Sequence, residues 1–424
     1  MDKLAISGGI PVRVKPWPTS MLGASLIGEE ELNELRDVVA EKSPFRFYGL
    51  GNPAKTATLE KELKDYFGCK FALAVSSGSA ALVCAVAALG LGPGDEVILS
   101  AFTWYSDYNA LVNFGVLPVF ADIDESLDLD PADFARKITP RTKAVIVVHF
   151  QGGAARMDEI CRIARAHDIK IIEDCAQALG GGYKGARLGT FGDVSILSFQ
   201  VHKVLTAGEG GALLTNHEEY FVRAVRYHDL GLVRSYFTEQ LADQSLADAQ
   251  KSFAGLQFRM SELQGAFLLA QFRKLDQILG RCRLLHQKVR DHFSQNQHFR
   301  IRYTDGDCGI AIFLLFATAG EADQFRKCLE AEGIQVGAAS ACSNLLQQYP
   351  IKSQKLVHDA LPPFGSGFAA NISGFSPESC PNTNLILGRY LAISIGPQFT
   401  DEDVMDIITA IDKVDANLYQ GGPG

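Results

Sequence analysis

Lys203 stands between an apolar run and a glycine-rich turn in FQVHKVLTAGEGG, Phe199 to Gly211. In a closed cleft a lysine loses part of its proton affinity and becomes an amine nucleophile. In solvent it is an ordinary turn lysine. Two carboxylates close an apolar run in IIEDCAQALGG, residues 171 to 181. A buried Asp needs a partner. Asp174 therefore either holds the protonated nitrogen of a heteroaromatic ring or caps the next helix. Gln177 shares its side if a helical turn follows. In VSSGSAAL, residues 75 to 82, small residues turn the chain before a helix. Ser77, Gly78 and Ser79 read either as an anion cradle of N–H groups or as a plain N-cap. The Gly-Lys-Ser/Thr element of a P-loop is missing. His149, His202 and His228 are far apart in the chain, and no His/Cys cluster has ligand spacing, so no metal is expected.

These groups need elements that bring them together. Short Val/Ile-rich runs read as strands at 71–75, 96–100, 116–122, 143–149, 169–174, 194–199 and 211–216. Helical patterns alternate with several of them, at 79–90 and from Ala155 to Asp168. The rhythm predicts a layered α/β domain, and in such sheets ligands bind beyond the carboxyl ends of the strands. Lys203, Asp174 and the Ser77–Ser79 turn all follow such ends. Helical spacing also marks 28–42, 56–67 and a long stretch over 259–295. The tail carries one strand-like run, IAIFLLFA, and two helical segments, and predicts a smaller α+β domain. The expected division is 1–50 as an N-terminal segment with a cleft loop, 51–285 as the large domain and 286–424 as the small one, with a frayed GGPG end. Residues 232–254 read as an ordered loop or a disordered excursion.

Bulk composition narrows the function. Hydrophobic residues make up 47% and charged residues 21%, which supplies a core. A net charge of −9 without a basic stripe argues against a nucleic-acid partner. No apolar run is long enough to span a bilayer. The start lacks a basic segment followed by an apolar run, and the nine cysteines are scattered. A cytoplasmic protein without a membrane partner is expected.

Five motifs occur in order: SSGSAAL, TWYSDYNAL, EDCAQA, SFQVHKVLTAGEGG and GLQFRMSELQGA. Together they resemble the DegT/DnrJ/EryC1/StrS aminotransferases, over about residues 8 to 412. The resemblance implies the aspartate-aminotransferase-like fold, PLP fold type I, with a mixed central sheet and a smaller α+β C-terminal domain. It implies pyridoxal 5′-phosphate as cofactor and a small-molecule amino donor, L-glutamine or L-glutamate. Lys203 then resembles the lysine that holds the cofactor and moves the proton, and Asp174 the partner of the pyridine nitrogen. Gln177 matches the residue near the ring hydroxyl and Trp104 the aromatic that stacks on the ring. Ser198, Gly78 and Ser79 match the phosphate cradle. A homodimer with shared active sites is implied, with Arg259 approaching the neighbouring site. Phe47, Tyr48 and Gly49 occupy the place of a loop that helps form the substrate cleft.

The chain departs from the family pattern at several positions. Gln257 stands where the family usually has an Asn that reaches the other subunit's phosphate. Tyr105 and Asp107 stand where smaller residues are common, and would narrow the mouth of the site or add a polar contact, although Tyr105 would equally pack on the sheet. His202 invites comparison with a dehydratase branch that replaces the lysine by histidine. The five-residue step from Ser198 lands on Lys203, so His202 reads as a neighbour that lines the site, packs or faces water. Gln200 and the GGIPVR opening resemble enzymes acting on inosose-type rings, which favours a keto-cyclitol acceptor. A nucleotide-linked 3- or 4-keto-sugar is the alternative, and a cofactor-bearing regulator a lesser one. Arg389 and Arg259 are candidates for binding the donor carboxylate.

Overall fold

The computed structural model describes residues 2–337, 344–365 and 374–420. Nine strands precede residue 216: β1 (Phe71–Val75), β2 (Glu96–Ser100), β3 (Leu117–Ala121), β4 (Thr142–Val148), β5 (Lys170–Asp174), β6 (Gly182–Tyr183), β7 (Ala186–Arg187), β8 (Val194–Ser198) and β9 (Gly211–Thr215). Seven form one sheet in the order β1-β9-β8-β5-β4-β2-β3. β9 pairs antiparallel with both β1 and β8, and the remaining pairs are parallel. Only β9 therefore runs against the others, and the carboxyl ends of β1, β2, β4, β5 and β8 share one edge. β1, β2 and β8 are buried at every position, which explains their continuous apolar sequence rather than an alternating one. β6 and β7 form a separate two-stranded ribbon.

Helices cover both faces of the sheet. The helix Gly78–Leu89 is apolar all round and buried between the sheet and the helix Glu218–His228. Gly90, at φ 70°, ends it in the left-handed conformation open to glycine. Helices at 105–112, 131–137 and 218–228 join those expected from spacing. The long helical pattern over 259–295 is two helices, Glu262–Phe272 and Leu275–His292. The chain bends at Lys274, whose ammonium reaches Glu31 at 2.7 Å. The 232–254 region is ordered, with short helical turns at 235–238, 244–247 and 249–251.

A second sheet forms in the order β10 (Phe299–Ile301), β11 (Ala311–Phe316), β12 (Tyr390–Ser394), all antiparallel. Sequence analysis anticipated only the central strand, because three residues such as FRI are too few to show a period. Its own core includes Phe299, Leu314, Phe325, Ile393 and Ile411. Leu4 lies in that core, and Arg13 bonds Asp403 and Asp406 at 2.9 and 2.8 Å. The N-terminal stretch is thus fastened to the second sheet's layer. The GGPG end lies outside the described residues.

His149 and Glu173 fix the middle of the large sheet. Glu173 is fully buried and accepts N–H groups from Gly189, Phe191 and Gly192 and the Ser195 hydroxyl. His149 Nε2 meets it at 3.0 Å, while Nδ1 faces the Ala155 N–H at 3.2 Å. Burial opposes ionisation of Glu173, yet His149 and the backbone donors outweigh it and hold the pKa below its ordinary value. That stabilisation is present above the ordinary carboxylate range and is lost as pH falls through the lowered value. Cys175 joins His149 and Glu173 with donor atoms within 4.8 Å of one another. The fold thus assembles a His/Glu/Cys cluster that chain spacing does not reveal, with His149 and Glu173 already committed to protein partners. Glu173→Gln is expected to lower the unfolding free energy by about 3 kcal/mol, read from the urea midpoint.

Candidate active site

The shared strand edge opens into a cleft of about 1060 Å³. Its lining includes Gly78, Ser79, Trp104, Asp174, Gln177, Ser198, His202 and Lys203, so eight sequence-predicted positions meet in one place. Each arrives on a strand end or the turn after it. Gly78 and Ser79 open a helix after β1, Asp174 ends β5 and Ser198 ends β8. Lys203 lies in the turn after β8, where its backbone N–H donates to the Gln200 carbonyl at 2.9 Å.

The Ser77–Ser79 turn satisfies both readings at different residues. The Ser77 hydroxyl accepts the Ala80 N–H at 3.1 Å and caps the helix. Gly78 and Ser79 are the first helical residues, whose N–H groups have no intrahelical acceptor, and both residues line the cleft. The Ser79 hydroxyl bonds Ser106 at 2.7 Å. A Cβ on Gly78 would lie 2.6 Å from Ser198 Cβ and 2.7 Å from its Oγ. Glycine is required there for the helix start to approach β8.

Asp174 is buried, and its Oδ1 accepts the Ala176 N–H at 2.7 Å. Burial raises its pKa, while the Ala176 N–H and the positive charge of Lys203 oppose the rise. The residues after β5 form turns rather than a helix, yet Gln177 still faces the cleft, and its Oε1 lies 3.4 Å from the Gln151 N–H. Trp104 caps the helix Tyr105–Val112 and stands at the cleft with half its surface exposed (51%). His202 is exposed, and its backbone N–H donates to Gln200 Oε1 at 2.9 Å. Gln200 lines the cleft too.

Other expected residues lie elsewhere on this chain. Asp107 does not narrow the mouth: it is wholly buried, turned into the protein beneath Trp104's helix. Tyr105 is half-buried and packs on the core of the large sheet. Phe47 packs on Phe237 between the guanidiniums of Arg46 and Arg234. Tyr48 is exposed. Gln257 is exposed and bridges the backbone of Asp229. Arg259 bonds Asp229 at 2.6 Å, beside the end of β1. Arg389 is engaged by the Phe316 carbonyl and Glu125, away from the cleft. That placement removes it as a donor-carboxylate candidate on its own chain.

Sequence reasoning missed Gln151, Ser106, Gln335, Ser394 and the stretch Trp17–Leu22 as lining. Gln151 follows the carboxyl end of β4, so the strand-end rule points to it. The 17–22 stretch has no local signal. It arrives because Trp17 packs edge-on against Phe399, at 5.6 Å between ring centres.

Residues 26–412 match the model of the DegT/DnrJ/EryC1/StrS aminotransferase family. The chain belongs to this family. It is an aminotransferase, and enzymes of this family depend on pyridoxal 5′-phosphate. It is 32% identical over 389 residues to the spore coat polysaccharide biosynthesis protein SpsC of Bacillus subtilis (strain 168), covering 91% of this chain and 94% of that one. It is 36% identical over 282 residues to L-glutamine:2-deoxy-scyllo-inosose aminotransferase of Micromonospora echinospora, covering 65% of each. The crystal structure of 3-amino-5-hydroxybenzoic acid synthase superposes with a TM-score of 0.75 at 24% identity, covering 96% of this chain and all of that one. The fold is that of the fold-type-I aminotransferases. Gly78→Ala is expected to cost about 1–3 kcal/mol of stability, and adding Ser198→Gly should restore most of it in the same urea titration.

Proposed function

We propose that this enzyme moves an amino group from L-glutamine or L-glutamate to a keto-cyclitol of the scyllo-inosose type. The observation that carries the reading is the convergence of Lys203, buried Asp174, the Gly78–Ser79 helix start and Trp104 in one cleft. The residues fit pyridoxal phosphate. A cradle that a Cβ would fill lies beside Ser198, and a desolvated carboxylate lies near a lysine. The bound cofactor supplies a ring able to accept the electron pair released at the donor Cα. Asp174, as an anion, would hold a proton on the ring nitrogen. The N–H groups of Gly78 and Ser79 and the Ser198 hydroxyl would bind phosphate, Gln177 would orient the ring hydroxyl and Trp104 would stack on the ring. Lys203 would be the residue that takes up and returns the proton at the donor Cα, and it would serve the ketone acceptor in the same way.

Among the described lining residues Lys203 is the sole lysine or arginine, which suits an uncharged ring better than a nucleotide diphosphate. A nucleotide-linked 3- or 4-keto-sugar is the second reading. It is supported by the likeness to a polysaccharide-biosynthesis protein along nearly the whole chain, against 65% for the inosose enzyme. A homodimer accompanies both readings. Phe47, Tyr48, Gln257 and Arg259 stand outside their own cleft, near exposed Leu50, Leu230, Leu232 and Leu256, and would serve the neighbouring site. No described helix is long and apolar enough to cross a membrane.

Borohydride should fix the cofactor on a single peptide carrying Lys203; labelling of another lysine rejects its role. Lys203→Ala should lose transamination, and Asp174→Asn should lower kcat by about 10²–10³. The purified enzyme should aminate scyllo-inosose with L-glutamine. Amine formation only on keto-sugar nucleotides rejects the cyclitol reading. Sedimentation should give twice the chain mass of 46.0 kDa.

A further inference from the structure

Asp107 is a buried carboxyl without an obvious reason to be there. It sits in the first turn of the helix Tyr105–Val112 and exposes none of its surface. The Thr103 hydroxyl donates to its Oδ2 at 2.5 Å. Its Oδ1 is buried and receives no donor. Asp174, itself a buried carboxylate, lies close enough to act on it. The groups facing the pair are the Lys203 ammonium, from the turn after β8, and the His149 imidazole, at the end of β4 and beside Asp174.

Two carboxylates in this position cannot both be ionised and stable. Each would be desolvated, and each would repel the other. One proton between them removes the repulsion and gives the orphaned Oδ1 a partner. The proton belongs on Asp107. Burial, followed by the charge of Asp174, pushes its pKa well up. Asp174 instead has the Ala176 N–H on one oxygen, with the lysine charge acting on it, and these favour the anion.

We infer that Asp107 is a neutral carboxylic acid that donates its proton to Asp174, so that the buried pair carries one negative charge and Asp174 is held in place as the anion. Asp107 is then a positioning residue. It acts through Asp174 and touches neither cofactor nor substrate. A smaller or apolar residue there would leave Asp174 one hydrogen bond short, with more freedom to turn from the cleft. The consequence for the cofactor rests on the reading of Asp174 given above; the protonation of the pair does not.

The test separates the two. Infrared spectra of the cofactor-free protein at neutral pH should show the carbonyl band of a buried protonated carboxyl, shifted in D₂O and lost in Asp107→Asn. A spectrum in which Asp107→Asn removes no carbonyl intensity overturns the inference whatever the protein binds; buried Asp128, whose pKa burial pushes up to about 7, adds intensity that this variant keeps. Pyridoxal phosphate is then titrated into the same proteins. Asp107→Asn keeps a donor to Asp174 and should bind within about threefold of the parent, whereas Asp107→Leu should bind about tenfold or more weakly. Should Asp107→Leu not fold, Asp107→Val replaces it, with the same loss expected. Equal affinity in parent, Asn and Leu or Val variants would refute a positioning role. A normal infrared result with no pyridoxal phosphate binding by the parent would reject the cofactor reading and leave the shared proton standing.

Discussion

A carboxylate taken out of water at the end of a parallel strand sets the terms for the rest of this structure. Asp174 cannot remain charged there without help, and the fold supplies it from three directions. The chain itself turns back and offers the Ala176 N–H. The turn after β8 places Lys203 close enough to be felt. The loop and helix after β2 bring Asp107 within reach. A desolvated anion stays an anion only if its surroundings favour the charge, and the same surroundings suit it to a cationic ring nitrogen.

Neighbouring Glu173 shows why this edge is rigid. One residue earlier on β5, it faces the opposite way, as alternate strand residues must. There it gathers N–H groups from the segment leading into β8 and the imidazole after β4. The carboxylate pair in IIEDCA therefore divides its work. Glu173 ties three strand ends together below the cleft, and Asp174 presents its charge within it. Arg302, just after β10, donates to the carbonyls of Phe150 and Gln151 at 2.8 and 3.0 Å. It links the second sheet to the loop that meets Gln177, so the two layers share the cleft wall.

The central sheet was largely legible because its strands are buried on both faces, and uninterrupted Val/Ile runs betray such strands. The boundaries agree to within a residue or two. The second sheet was less legible, since two of its three strands lack a sequence period of their own. The bend at Lys274 escaped notice because the apolar spacing runs on through it, and the ion pair made there joins Lys274 to Glu31, distant in the chain. The helix at 105–112 was missed for a related reason. Its few residues mix aromatic, polar and acidic types, and packing decides its inner face.

The sequence by itself determined the chemistry on offer: a lysine five residues beyond a strand-ending serine, an aspartate closing an apolar run, a glycine-serine helix start, and a motif order shared with a family. These are local facts, carried by residue type and spacing. Tertiary structure decided which of them meet. It collected eight of the expected positions into one cleft, left Tyr105 packed on the core and Arg389 tied to Glu125, and brought in Trp17–Leu22 from the distant N-terminus. It also turned Asp107 away from the mouth and against Asp174. Pairing of two buried carboxyls depends on distances between elements about seventy residues apart, which spacing along the chain does not encode.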